Sequence, residues 1–270
     1  MSVNLYDHAY GDFDGAAESA VRRETYGEDM GQTSWITAAE WLGYADRLHV
    51  GRDSAVLEIG SGSGGPGLYL AEARGCRLTG VDVNERGVRT GTARAEALGL
   101  ADRVRFHVVS AGEPLLPFAD ESLDAVISND TICHIPVRGA ALREWHRVLR
   151  PGGRALFTDA LVVTGNVTNE EIALRTSIGF YLVVPPGENE RLLAAAGFTT
   201  LGVEDVTLST ANISLRRHDA RERHREALTA REGGDAFDAL QRYLRCVHAL
   251  ASERRLSRFA YLAERPPADA

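Results

Sequence analysis

The sequence predicts an α/β protein: a mostly parallel sheet with helices on both faces. Three observations predict it. From about residue 53 to 160, short apolar runs alternate with amphipathic ones, as strands alternating with helices do. The short runs are nearly continuous in Val, Ile, Leu and Ala, the pattern of strands buried on both faces. The chain has 270 residues, 44% of them apolar and 25% charged, which suits one large globular domain or two small ones.

The elements follow in order. Thr33–Leu48 places Trp35, Ile36, Ala39, Trp41, Leu42, Ala45 and Leu48 at three- and four-residue steps, an amphipathic helix with Thr33 or Ser34 as N-cap. Ala55–Ile59 reads as a buried strand, Leu68–Ala73 opens a helix, and Arg77–Val83 is the next strand. Gly87–Ala97 is helical, Val104–Val109 and Leu123–Ser128 are strands, and Gly139–Leu149 is a helix stopped by Pro151-Gly152-Gly153. A fifth strand begins at Ala155–Phe157. Beyond residue 160, helices are expected over Asn169–Ser177, Glu188–Ala196, Asp219–Ala230 and Phe237–Glu253, with strands over Val203–Leu208 and Phe259–Ala263. The Arg216–Arg225 stretch also holds Asp219 and Glu222, so it reads as a solvated helix face.

Composition excludes several function classes. All 30 basic residues are Arg, so there is no Lys nucleophile, Schiff base or phosphate-loop Lys. A net charge of -8 argues against a nucleic-acid or anionic-membrane partner. Cys76, Cys133 and Cys246 are odd in number and widely spaced, as reduced thiols of a cytoplasmic protein are. The eight His show no metal-ligand spacing, so no metal is expected.

Chemistry concentrates at the end of the first strand. In AVLEIGSGSGGPG, the strand runs into Gly60, Ser61, Gly62 and Gly64, whose backbone N–H groups can approach a ligand. Asp82 ends the second strand, where doubly wound folds meet ribose hydroxyls. Together these point to an adenosine-containing cofactor. The glycine spacing alone also satisfies a dinucleotide fingerprint and hence an oxidoreductase. Glu58 weighs against a pyrophosphate and suits an ammonium.

VLEIGSGSGGPGLYLA, GVDVN, LPFADESLDAVIS and HRVLRPGGRALFTDA, in that order, resemble the class I S-adenosylmethionine (SAM)-dependent methyltransferases over roughly residues 50–200. Within that family the chain is most similar to natural-product sugar O-methyltransferases and to the sterol, tocopherol and phosphoethanolamine group. The resemblance implies a Rossmann-like seven-stranded sheet with its last strand antiparallel. It also implies an N-terminal helical lid (1–50), a SAM-binding domain (51–270), and caps near 161–190 and 211–256. It assigns SAM to Glu58, the glycine loop, Asp82, Val83 and Asn129, with Gln32 and Ser34 at the methionine end. Ser110 and Ala111 stand where the family often places an acid for adenine. His134 becomes the candidate general base, with Asp159 orienting it or binding the acceptor. Tyr26, Trp35, Asp130, Phe180 and Tyr181 are candidate acceptor contacts. The expected partner is a small-molecule acceptor, most simply a hydroxyl of a secondary metabolite, with self-association left open. Amine or carbon acceptors, and a non-methylating step such as cyclisation, fit the same motifs.

Overall fold

The computed structural model describes residues 15–109 and 116–267. In chain order the elements are α1 (Ala16–Tyr26), α2 (Ala38–Arg47), β1 (Ala55–Ile59), α3 (Gly65–Arg74), β2 (Arg77–Asp82), α4 (Glu85–Ala97), β3 (Val104–Val108) and β4 (Leu123–Ser128). A 3-10 turn (Ile132–His134) leads into α5 (Arg138–Val148), β5 (Leu149–Val163), α6 (Asn169–Arg175) and α7 (Glu188–Ala195). The chain then forms β6 (Thr199–Asp205), α8 (Thr207–Arg223), α9 (Arg225–Glu232), α10 (Gly234–Ser252) and β7 (Leu256–Glu264).

The seven strands lie in the order β3-β2-β1-β4-β5-β7-β6. β1 to β5 are parallel, and β7 runs antiparallel between β5 and β6. The chain leaves β1 toward β2 and β3, then returns to lay β4 on the other side of β1. The connections after β1 and β4 therefore part in opposite directions and open a crevice at the carboxyl edge, the place where such sheets bind ligands.

Each sheet face has its own core. Trp41, Leu68, Leu70, Val88 and Ala95 bring α2, α3 and α4 onto one face. Leu142, Trp145, Val148 and Leu193 bring α5 and α7 onto the other. A third cluster lies beyond the crevice, where Tyr26, Trp35, Ile213, Tyr243, Leu244 and Val247 join the N-terminal segment to α8 and α10. Trp41 Nε1 donates to Pro66 O at 2.9 Å, docking the lid helix on the helix that follows the glycine loop.

Three local expectations are corrected. The cap of α2 is Thr37, whose hydroxyl accepts from Glu40 N, rather than Thr33 or Ser34. Pro151-Gly152-Gly153 does not delay the fifth strand: β5 already begins at Leu149, and Gly152 N and Gly153 O bond Arg265 beyond β7. α8 starts at Thr207, well before the expected Asp219. Its Thr- and Ser-rich first turns have weak helix propensity, but Thr210, Ala211, Ile213 and Ser214 are buried there, and that packing outweighs propensity. The same helix buries Arg221 and Ala220, so Arg216–Arg225 is only partly a solvated face.

Candidate active site

The glycine loop is packed so closely at Gly60, Gly64 and Gly65 that a Cβ there would clash. Gly60, Gly62 and Gly64 have φ of +77°, +52° and +77°, a left-handed backbone that favours glycine. A Cβ on Gly65 would lie 2.3 Å from Met30 O, because the backbone at Met30 and Gly31 packs directly against the loop. Gly62 N donates to Asp82 Oδ2 and Asn84 N to Asp82 Oδ1, each at 2.8 Å. Asp82 thus ties the glycine loop to the start of α4. Burial pushes its pKa up, against the backbone donors that pull it down. Val83 beside it is 56% exposed, an apolar surface at the strand end.

The loop fits a ligand bearing cationic and hydroxyl groups. Glu58 is buried beneath α3: a Cβ on Gly67 would lie 2.3 Å from its Oε2, which has no hydrogen-bond partner, and Ser61 Oγ is likewise buried and unpartnered. Burial, reinforced by the charge of Asp82, raises the Glu58 pKa well above the usual carboxylate range. An ammonium nearby would relieve that cost.

The segment after β4 supplies the other wall. His134 is half-buried, with Nδ1 2.8 Å from Phe180 O, and its ring centroid lies 4.3 Å from that of Tyr181. Burial lowers its pKa below the ordinary imidazole value, and the nearby Arg175 charge lowers it further. Phe180 itself projects outward, 53% exposed, so its contribution is the carbonyl rather than the ring. Cys133 is buried and its thiol pKa is raised well above the usual range, which makes it an inert thiol.

Several expected acceptor contacts have other partners. Asp159 is fully buried: Oδ2 accepts from Arg138 Nη1 at 2.6 Å and Asn189 Nδ2 at 3.0 Å, and Oδ1 from Leu161 N at 3.0 Å. Arg138 also donates to Leu182 O at 2.7 Å, so this pair anchors the cap segment instead of orienting His134. Asp130 is not open to an acceptor either. Its Oδ1 accepts from Arg258 Nε at 2.8 Å and its Oδ2 from Trp35 N at 3.2 Å. Tyr26 and Trp35 are buried in the lid core, and the Tyr26 hydroxyl donates to Ser34 O at 2.8 Å. Gln32 is buried and shapes the lid loop through Met30 N and Glu28 O. Asn129 Nδ2 donates to Ser34 Oγ, joining lid and β4 at the crevice. Ser110 and Ala111 lie outside the described residues.

Two arginines had no signal in the sequence. Arg258, on β7, is fully buried and reaches Asp130, Glu40 Oε1 at 2.8 Å and Asn129 Oδ1 at 2.7 Å. It binds lid, β4 and β7 into one unit. Arg175, the last residue of α6, is buried against Tyr181 and Tyr243. Among the described residues, no three His, Cys, Asp or Glu cluster as a metal site requires. None of the helices described is long and apolar enough to cross a membrane.

A methyltransferase domain model matches residues 57–157, the segment from β1 through β5 that carries the glycine loop, Asp82 and His134. Residues 57–157 thus carry a methyltransferase domain, and the class I SAM-dependent methyltransferases are what this segment is similar to. It is 33% identical over 171 residues to the methyltransferase GfsG of Streptomyces halstedii, covering 61% of this chain and 60% of that protein. It is 34% identical over 158 residues to a 27-O-demethylrifamycin SV methyltransferase of Amycolatopsis mediterranei, covering 57% of each. The chain therefore spans about 60% of the length of these curated relatives. A crystal structure of a putative sarcosine dimethylglycine methyltransferase from Galdieria sulphuraria shares the fold, with TM-score 0.81 and 18% identity over 98% of this chain and 99% of that one.

Proposed function

We propose that this methyltransferase transfers the SAM methyl group to a hydroxyl of a small secondary metabolite, with His134 as the proton acceptor. The observation that carries the reading is the position of His134: oriented by Phe180 O, at the same carboxyl edge as the glycine loop. The natural-product relatives support a metabolite of that kind.

When bound, SAM supplies an electrophilic methyl and its own neutral thioether leaving group. The protein's share is positioning and a base. Gly60, Gly62 and Gly64 would hold the methionine end through backbone groups, with the unpartnered Glu58 Oε2 and Ser61 Oγ as its buried polar partners. Asp82 would hold the ribose hydroxyls, and Val83 would offer the cofactor an apolar surface beside it. A proton on Nδ1, donated to Phe180 O, leaves the Nε2 lone pair to take the acceptor's proton. The lowered pKa keeps His134 neutral at pH 7, as a base must be. The segment of Gln32, Ser34 and Trp35, fixed to Asn129 and Asp130, would exclude water from the sulfonium.

The test is turnover of a panel of hydroxylated metabolites by wild type and His134→Ala. The variant is expected to lose about 10²–10⁴-fold in kcat and to keep its affinity for S-adenosylhomocysteine. Unchanged turnover would reduce His134 to a wall residue. The product distinguishes the rival chemistries: methyl carbon on nitrogen or carbon, or an isomer without added mass, each displaces the hydroxyl reading.

A further inference from the structure

The buried arginines of this chain share a pattern, and one breaks it. Arg138 pairs with Asp159, Arg258 with Asp130 and Glu40, and Arg221 with Glu232. Arg175 is as deeply buried, at 2% exposure, yet among the described residues it meets no carboxylate. Its Nη1 donates to the Tyr243 hydroxyl at 2.7 Å, and its guanidinium carbon lies 5.3 Å and 5.4 Å from the Tyr181 and Tyr243 ring centroids. Ring faces and phenols soften the loss of water around a full charge but do not neutralise it, and a guanidinium has five N–H donors to satisfy.

The position is on the acceptor side. Tyr181 bridges the two groups, with its ring against both Arg175 and His134. The capped helix α6 and the packed helix α10 hold Arg175 and Tyr243 from opposite sides, so the cluster is preformed. Arginine in a dry site matches planar or tetrahedral oxyanions by paired hydrogen bonds.

We propose that Arg175, Tyr181 and Tyr243 form an anion subsite that takes a carboxylate or phosphate group of the acceptor and sets its reacting atom against His134. This rests on reading the crevice beside His134 as the acceptor site. It narrows the acceptor to an anionic molecule.

The experiment titrates the enzyme saturated with S-adenosylhomocysteine with benzoate, its neutral isostere benzamide, and inorganic phosphate, by calorimetry. Benzoate or phosphate is expected to bind, at least tenfold tighter than benzamide. Arg175→Met is expected to lose that preference, with a drop of about tenfold or more for the anion, and Arg175→Lys to recover part of it. Preference for benzoate assigns a carboxylate, and preference for phosphate a phosphate group. If neither anion binds better than benzamide, or if Arg175→Met binds the anion as wild type does, the subsite is refuted. If Arg175→Met instead loses affinity for S-adenosylhomocysteine while its melting temperature holds, Arg175 serves the cofactor's carboxylate and the proposal fails. Should the Met variant not fold, the wild-type comparison of benzoate with benzamide decides alone. Failure of wild type to bind S-adenosylhomocysteine would sink the cofactor reading separately.

Discussion

Replacing Asp159 by Ala separates the role the sequence suggests from the one the structure gives it. The substitution removes the carboxylate from Arg138, whose side chain is only 4% exposed. It also strips an acceptor from Asn189 Nδ2 and from Leu161 N. Breaking a buried ion pair from one side costs about 3–5 kcal/mol, because the remaining charge is left buried without a counter-charge. At about 2–4 °C per kcal/mol for a chain of this size, the melting temperature should fall by about 6–20 °C. The double variant Asp159→Ala/Arg138→Leu removes both charges and should recover more than half of that loss. The assay is urea and thermal unfolding of the three variants, with turnover measured per folded molecule well below the transition. Folded Asp159→Asn enzyme should keep its turnover within a few-fold. A variant that loses turnover by about a hundredfold or more with its stability intact would refute this account and return Asp159 to the acceptor.

Other predictions probe separate parts of the site. The acid limb of kcat/KM should fall at a pH below the ordinary His value of about 6.5, because His134 is held neutral by burial and must be neutral to accept a proton; Arg175→Met should move that limb upward, and a limb at or above 6.5 in wild type contradicts the burial argument. Gly65→Ala puts a methyl against Met30 O and should weaken S-adenosylhomocysteine binding at least tenfold by lifting the lid, at a stability cost of about 1–3 kcal/mol; calorimetry showing wild-type affinity would mean the lid does not close the cofactor site. Asp82→Ala removes the proposed ribose acceptor together with the Gly62–Asn84 tie and should weaken cofactor binding; equal cofactor affinity in that variant would dismiss the ribose assignment. Native enzyme treated with iodoacetamide should be spared at Cys76 and Cys133, both buried with raised thiol pKa, as read by peptide mass mapping.

How much was legible follows from the range of each interaction. The strand–glycine loop–helix unit, Asp82 at the end of β2 and His134 beyond β4 are local features: buried parallel strands write continuous apolar runs, and positive φ writes glycine. Element ends were less legible wherever packing overrode propensity, as in the first turns of α8. The placement of the glycine loop and Asp82 at one edge of the sheet was therefore readable.

The acceptor half was not, because it depends on which charges are already paired. Asp130 and Asp159 looked like free carboxylates beside a base. Their partners, Arg258 and Arg138, stand 128 and 21 residues away, and no local pattern couples them. Once a carboxylate is buried against an arginine, its lone pairs and charge are committed to stability. The same contacts that remove Asp130 and Asp159 from the acceptor leave Arg175 as the buried cation without a carboxylate among the described residues. By itself the sequence determined the fold class, the cofactor loop and the position of the candidate base, since each is set by short-range backbone and burial rules. Only the tertiary structure decided which polar groups remain available to an acceptor, because charge pairing is settled between strands and helices far apart in the chain.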